Sequence, residues 1–323
     1  AMGDDGSSLT ENYLRPGDYP TFQIYDSSDS AYLNIEEVTI TNYNGGIYTG
    51  WENWGFFFIE EVLGIALDLY SIALDGVDLI SFFSLPENDS VATIFSQIED
   101  NNPKILGEGT SAFYYPDYDQ WFGSLVEVES TAGYWIIVDD SEVLDVAGIP
   151  TDTSTVYNLD EHTNLISYSF SGSSPISEAI PDSVELFIDA IIGEGEATMN
   201  NNGEWVGGLV NLSGTEGYWF ITNEAVSFSY NQPIESATRK VSPIRPIPME
   251  FDFNQSTQQA FYFINSASID GEPLEKEDLI IIYNNDVIVG SRYWYGGITD
   301  VPAMGYDPNN YEKYTAGYCA AGD

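Results

Sequence analysis

The sequence predicts a mainly β chain: a β-sandwich split between the two chain ends, plus two homologous small β-rich modules with short helices. Three observations predict it. First, short runs rich in Val, Ile, Thr, Tyr and Phe are punctuated by Gly, Asn and Asp, the pattern of half-buried strands joined by turns. Second, the middle of the chain repeats itself at an offset of about 85 residues. Third, one motif stands at both ends. Ala1-Met2-Gly3 returns as Ala303-Met304-Gly305, Asp5 returns as Asp307, and both copies run through a Tyr-containing loop to Gly-Asp, at Gly17-Asp18 and Gly322-Asp323. A period plus a small overlap is how one unit of a longer repeating protein or assembly reads.

In chain order, residues 21–26 alternate and carry aromatics, which predicts a strand, and residues 32–41 predict strands through Thr, Val and Ile. Asp26-Ser27-Ser28-Asp29-Ser30 and Asn44-Gly45-Gly46 are turns. Residues 51–63 are apolar and aromatic, a buried strand or an awkward helix. The internal repeat then begins. Asp78-Leu79-Ile80-Ser81-Phe82 matches Asn164-Leu165-Ile166-Ser167-Tyr168, and Asp89-Ser90-Val91 matches Asp182-Ser183-Val184. Each Asp-Ser pair suits a helix N-cap, so residues 91–98 and 184–191 are expected to open as short amphipathic helices. Gly107-Glu108-Gly109 matches Gly193-Glu194-Gly195. Trp121-Phe122-Gly123-Ser124-Leu125 matches Trp205-Val206-Gly207-Gly208-Leu209, and Gly133-Tyr134-Trp135-Ile136 matches Gly217-Tyr218-Trp219-Phe220.

Residues 231–250 change character. They hold Arg239, Lys240 and Arg245 and four prolines, an extended linker or a strap over an acidic surface. Beyond it, residues 259–264, 278–283 and 287–294 predict strands, the last two joined by the Asn284-Asn285-Asp286 turn. The expected boundaries are 1–50 for one part of the sandwich, 51–148 and 149–230 for the modules, 231–250 for the linker and 251–323 for the remainder of the sandwich.

Composition narrows the partners. Eight Lys and Arg stand against 52 Asp and Glu, a net charge of −44. That field opposes nucleic acid and anionic membranes, and it favours solubility at high ionic strength. No apolar run is long enough for a transmembrane helix, so membrane insertion is not expected. One cysteine, Cys319, forms no intrachain disulfide.

The order Gln259-Ala260-Phe261-Tyr262-Phe263, Tyr283-Asn284-Asn285-Asp286, Val289-Gly290-Ser291-Arg292 and Asp300-Val301-Pro302-Ala303-Met304-Gly305 resembles repeat domains of very large extracellular proteins of marine bacteria, which continue through the pattern at 17–26. The Asn-Leu-Ile-Ser to Gly-Tyr-Trp modules resemble units of secreted surface proteins of Bacteroidota-like organisms. One departure is Ile288, where the pattern often has Cys, leaving Cys319 without that partner. The resemblance implies an extracellular or cell-surface β-rich protein with a surface, filament or adhesive role.

Chemistry-bearing residues are few. With one His, His162, and one Cys, neither a zinc cluster nor a Cys-His dyad can be built within the chain, and enzyme activity is not expected. Glu108 and Glu194 are expected to cap backbone donors in their Gly-Glu-Gly turns rather than to act as a catalytic pair. Trp121, Trp135, Trp205 and Trp219 recur beside Gly and Tyr and read as core, with a sugar-stacking face as the alternative. Calcium is the cation the composition best suits, with Asp4, Asp5, Asp26, Asp29, Asp300 and Asp307 as candidate ligands in loops. The functional expectation is a structural subunit or repeat of an extracellular filament. Copies of the chain would join head-to-tail by β-strand complementation through Phe22, Ile24, Tyr25, Phe261, Phe263, Ile281 and Val289. The alternative is a carbohydrate-binding or adhesive module of a large secreted protein, with glycans as partner.

Overall fold

The computed structural model describes residues 13–20, 22, 24–26, 31–42, 45, 47–233, 246–276, 278–310 and 312–320. The chain is mainly β and divides into two compact units, Ala1–Asp68 and Leu69–Asp323.

The N-terminal unit is a three-stranded antiparallel sheet in the order Ile24–Asp26, Ala31–Asn42, Phe57–Ala66. The stretch expected as a buried strand or a helix is a strand from Phe57 onward. It pairs along the length of Ala31–Asn42, from Asn42↔Phe57 to Leu33↔Ala66, with two register shifts. A long inner strand has backbone donors and acceptors on both edges, and this third strand satisfies one of them. It therefore belongs to the N-terminal sheet, and the boundary expected after residue 50 falls after Asp68. Its aromatics are not core: Trp54, Phe56 and Phe58 are exposed. The Gly17-Asp18 motif is tied to the same region, since Gly17 N–H donates to Trp51 O (2.9 Å) and Trp51 N–H to Asp18 O (2.7 Å).

The second unit holds both modules, and they share one topology. The first module's sheet runs Val77–Ser81, Gly133–Ile137, Lys104–Gly107, Thr110–Tyr115, Gln120–Gly123 in spatial order. The second runs His162–Ile166, Tyr218–Thr222, Ile188–Ile192, Ala197–Asn201, Glu204–Gly207. Landmarks aligned in the sequence fall at equal places: Ala112 pairs with Gly123 as Thr198 pairs with Gly207. Both glycines have positive φ, 143° and 149°. A Cβ on either would fall within 2.0 or 2.2 Å of the Ser111 or Ala197 carbonyl oxygen, so neither position accepts another residue without a shift of backbone. Each module has its own core of 16 buried residues, large enough to stabilise it as a separate body within the unit.

The helices are shorter than the sequence suggested. Ser90 does cap Val91–Ile94, but its hydroxyl meets Thr93 Oγ1 (2.9 Å), and a 3-10 helix, Ser96–Asn101, continues the turn. In the second module Asp182 and Ser183 lie inside the helix Asp182–Glu185, which Pro181 precedes as N-cap. The chain is already a strand at Ile188. Ile188, Ile191 and Ile192 are β-branched and pair with Tyr218–Thr222, and that pairing wins over helix extension.

The C-terminal part, from residue 246, pairs Gln259–Ile264 with Thr299–Met304 and Leu279–Asn284 with Val287–Tyr293, close to the expected strands. The Val301–Gly305 motif sits mostly in the Thr299–Met304 strand, all six residues of which are buried. The packed cluster here is small, with Val289, Met304 and Tyr318 as its buried members, and Trp294, Val301 and Ala303 are buried outside it.

Candidate functional site

The two modules face each other as a pseudo-two-fold pair, and the Gly-Glu-Gly turns hold it. Glu194 of the second module accepts the Leu79 N–H of the first at 2.9 Å. Glu108 of the first accepts the Leu165 N–H of the second, also at 2.9 Å. The expectation that these glutamates cap backbone donors is met, but across the interface rather than within the turn. An intramolecular hydrogen bond of this kind contributes about 0.5–1.5 kcal/mol net. Further contacts keep the symmetry. Ser81 N–H donates to Thr215 O and Ser167 N–H to Thr131 O, both at 3.1 Å. Ile80 bridges Glu216 as Ala132 bridges Ile166. Gly133 and Gly217 allow the approach: a Cβ on them would lie 2.9 Å from Leu165 Cδ1 and 2.7 Å from Ile80 O. A shared apolar layer of Val77, Leu79, Trp135, Ile137 and Leu165 fills the middle, with Trp219 against it.

The pair is symmetric in backbone and asymmetric in charge. Asp78 occupies the place of Asn164: the former accepts the Asp75 N–H at 2.7 Å, the latter the Asp160 N–H at 2.8 Å. Burial raises the Asp78 carboxyl to about 6, opposed by the Asp75 N–H. Glu194 is pushed up to about 8 by desolvation first and the Asp78 charge next, with the Leu79 N–H opposing. Glu194 is nonetheless an exposed residue, and solvent there moderates the shift.

The C-terminal strands dock on this charged side. Asp300 is fully buried. It accepts N–H groups from Ala197 (3.0 Å) and Gly208 (2.5 Å). Arg292 reaches Asp300 Oδ2 at 3.4 Å and Glu196 Oε1 at 3.5 Å, and donates to the carbonyls of Gly195 and Asp300. Desolvation still raises the Asp300 carboxyl, with Arg292 and the two N–H groups opposing. Gly208 is required: a Cβ would lie 2.6 Å from both Asp300 Oδ1 and Tyr295 Oη. The equivalent residue of the first module is Ser124, whose hydroxyl accepts the Ser111 N–H at 3.3 Å, the place Asp300 takes on the second. The first module keeps a cleft of about 570 Å³ on its side, bounded among others by Glu108, Ser124, Glu129, Asn158 and Asn164.

The sequence-expected residues fall as follows. Asp300 is an interdomain anchor whose oxygens are taken by protein donors. Asp307, also buried, orders its own loop through Thr257 Oγ1 (2.5 Å) and Asn310 N–H (3.1 Å). Asp4, Asp5 and Asp29 lie outside the described residues. Asp26 ends a strand opposite Ala31, and its side chain also lies outside them, as does that of Tyr25. Among the described residues no three His, Cys, Asp or Glu side chains gather as a metal site. Phe22, Ile24, Phe261, Phe263 and Ile281 are half-buried, whereas Val289 is fully buried in the C-terminal core. Trp135 is buried between the modules, and Trp121 and Trp205 donate Nε1–H to Glu99 (2.7 Å) and Glu185 (3.0 Å), so these three indoles pack as core. His162 is exposed and opens the His162–Ile166 strand with a positive φ, rather than lying in a turn. Cys319 is a free, half-buried thiol. The sequence reading missed Arg292, Asp78 and Gly208. The signal was present in the repeat itself, where Gly208 and Asp78 replace Ser124 and Asn164.

No helix among the described residues is long and apolar enough to cross a membrane. No protein-family model, curated protein or solved structure matches the chain.

Proposed function

We propose that the chain is a structural subunit of an extracellular filament or surface assembly, in which copies join head-to-tail by strand complementation. The observation that carries this reading is the sparse strand pairing of the C-terminal part among the described residues. Leu279–Asn284 and Gln259–Ile264 each pair with one strand among the described residues. Leu279, Ile280, Ile281 and Ile282, and Phe261 and Phe263, are each only half-buried. Against clusters of 16 packed buried residues in each module, the cluster in this part holds three. An open strand edge beside uncovered apolar faces is a template for a further strand. The N-terminal sheet offers apolar side chains for such an exchange, with Phe58 exposed on its third strand and Trp54 and Phe56 exposed just before it. A heterologous contact of this sort grows a fibre when its rotation does not close into a ring.

Negative-stain microscopy and light scattering on the purified chain at high ionic strength test it. The wild type is expected to form fibres with a regular repeat, and Ile281→Arg to abolish them while leaving a folded monomer. A wild type that stays monodisperse at high protein concentration and high salt would sink the proposal.

A further inference from the structure

The paired modules act as an internal control, because a residue needed for the shared fold recurs in both. The hairpin joining Thr110–Tyr115 to Gln120–Gly123 breaks this rule. By register its Tyr114, Tyr115 and Phe122 stand where the second module has Asn200, Asn201 and Val206. Its turn, Pro116-Asp117-Tyr118-Asp119, is two residues longer than the Asn202-Gly203 turn. Tyr115, Tyr118 and Phe122 are exposed by 48, 72 and 43 %, so they contribute little to the module's own core.

The hairpin tip is nonetheless ordered. Phe122 packs edge-on to Tyr115 (5.2 Å between centroids) and to Tyr118 (5.9 Å). Tyr114 Oη donates to Asp119 Oδ1 at 2.6 Å. Tyr118 N–H donates to Tyr115 O (3.0 Å) and Asp119 N–H to Pro116 O (3.2 Å), with Asp119 in the left-handed region. Three rings are thus held in place before any ligand arrives, which lowers the ordering cost of binding.

We infer that this hairpin is a binding platform for an uncharged polysaccharide, with Tyr115, Tyr118 and Phe122 stacking on sugar rings. The chemistry favours that occupant. Aromatic faces take the C–H face of a pyranose, and the tyrosine hydroxyls, the Asp117 carboxylate and the Gln120 amide, all exposed, ring the patch for sugar hydroxyls. Three side chains offer far less than the ~800 Å² per partner of a stable protein interface, but enough for two or three sugars. The −44 net charge repels sulfated or uronic-acid polymers.

Affinity electrophoresis of the full chain in gels containing soluble β-1,3-glucan, β-1,4-galactomannan or α-1,6-glucan tests the inference. Wild type is expected to be retarded by at least one of the three. Retardation should fall at least tenfold in Tyr118→Ala/Phe122→Ala. It should fall equally when residues 116–119 are replaced by Asn-Gly, a turn that the same fold already accepts in the second module. Circular dichroism confirms that both variants remain folded. Absence of retardation by all three, retardation unchanged in both variants, or preference for a sulfated polysaccharide would each overturn the inference. Fibre formation is read separately by microscopy, so failure of the platform and failure of the assembly proposal are distinguishable.

Discussion

At the scale of single residues, the interface glutamates are the most informative. Glu108 and Glu194 do the same geometric work, and Glu194 does it beside two further acidic groups, Asp78 and Glu216. A carboxyl whose pKa is higher folded than unfolded contributes its stability below the unfolded value and loses it as pH rises through the folded one. For Glu194 that window runs from its ordinary 4.5 to about 8; for Asp78 it runs from 3.8 to about 6. Thermal melts should therefore show the junction weakening between pH 5 and pH 8. Glu194→Gln keeps an acceptor for the Leu79 N–H but cannot ionise. Its melting temperature should exceed that of wild type at pH 8, with the gap closing toward pH 5. An equal gap at both pH values would remove Glu194 as the source. Glu194→Ala should lose about 1–3 kcal/mol at either pH, because the Leu79 N–H is left without its partner.

At the scale of elements, the absence of a side chain at Gly208 decides which module receives the C-terminal strands. Gly208 leaves room for the Asp300 carboxylate, and Ser124 fills the same room in the first module. Gly208→Ser should loosen the Thr299–Met304 strand by about 1–3 kcal/mol, the usual cost of overpacking. Hydrogen exchange of that strand is the measurement, with Ser124→Gly expected to stay within about 0.5 kcal/mol of wild type. Much of this scale was legible in the sequence. Alternation and turn residues placed the C-terminal strands and the Asn284-Asn285-Asp286 hairpin because local pattern controls both. The Trp positions read as core for the same reason. What stayed hidden was the partner of each element. Residues 51–63 look like a module's opening strand until Ala31–Asn42 claims Phe57–Ala66, and pairing across sequence distance leaves no local mark. Glu108 and Glu194 show the same limit: their capping role was legible, and the strand they cap was not.

At the scale of the whole molecule, the charge of −44 makes salt a structural variable. The Debye length falls from about 30 Å at 0.01 M to about 3 Å at 1 M. Self-repulsion should fade over that range, and the melting temperature should climb by at least the roughly 2–4 °C that 1 kcal/mol represents for a chain of this class. A melting temperature indifferent to salt would mean the charge is already compensated in the folded state. The duplicated modules were legible as a repeat, while their pseudo-two-fold embrace was not, since symmetry is a property of how copies meet.

That embrace has a kinetic meaning. Two identical subunits that met this way would obey mass action and separate on dilution. Here both partners travel on one covalent thread, so each sees the other at a fixed local abundance set by the few residues joining Pro150 to Tyr157. Their union is a unimolecular event, indifferent to how sparse the protein becomes. A self-complementary face that would otherwise invite random pairing between strangers is already satisfied at home.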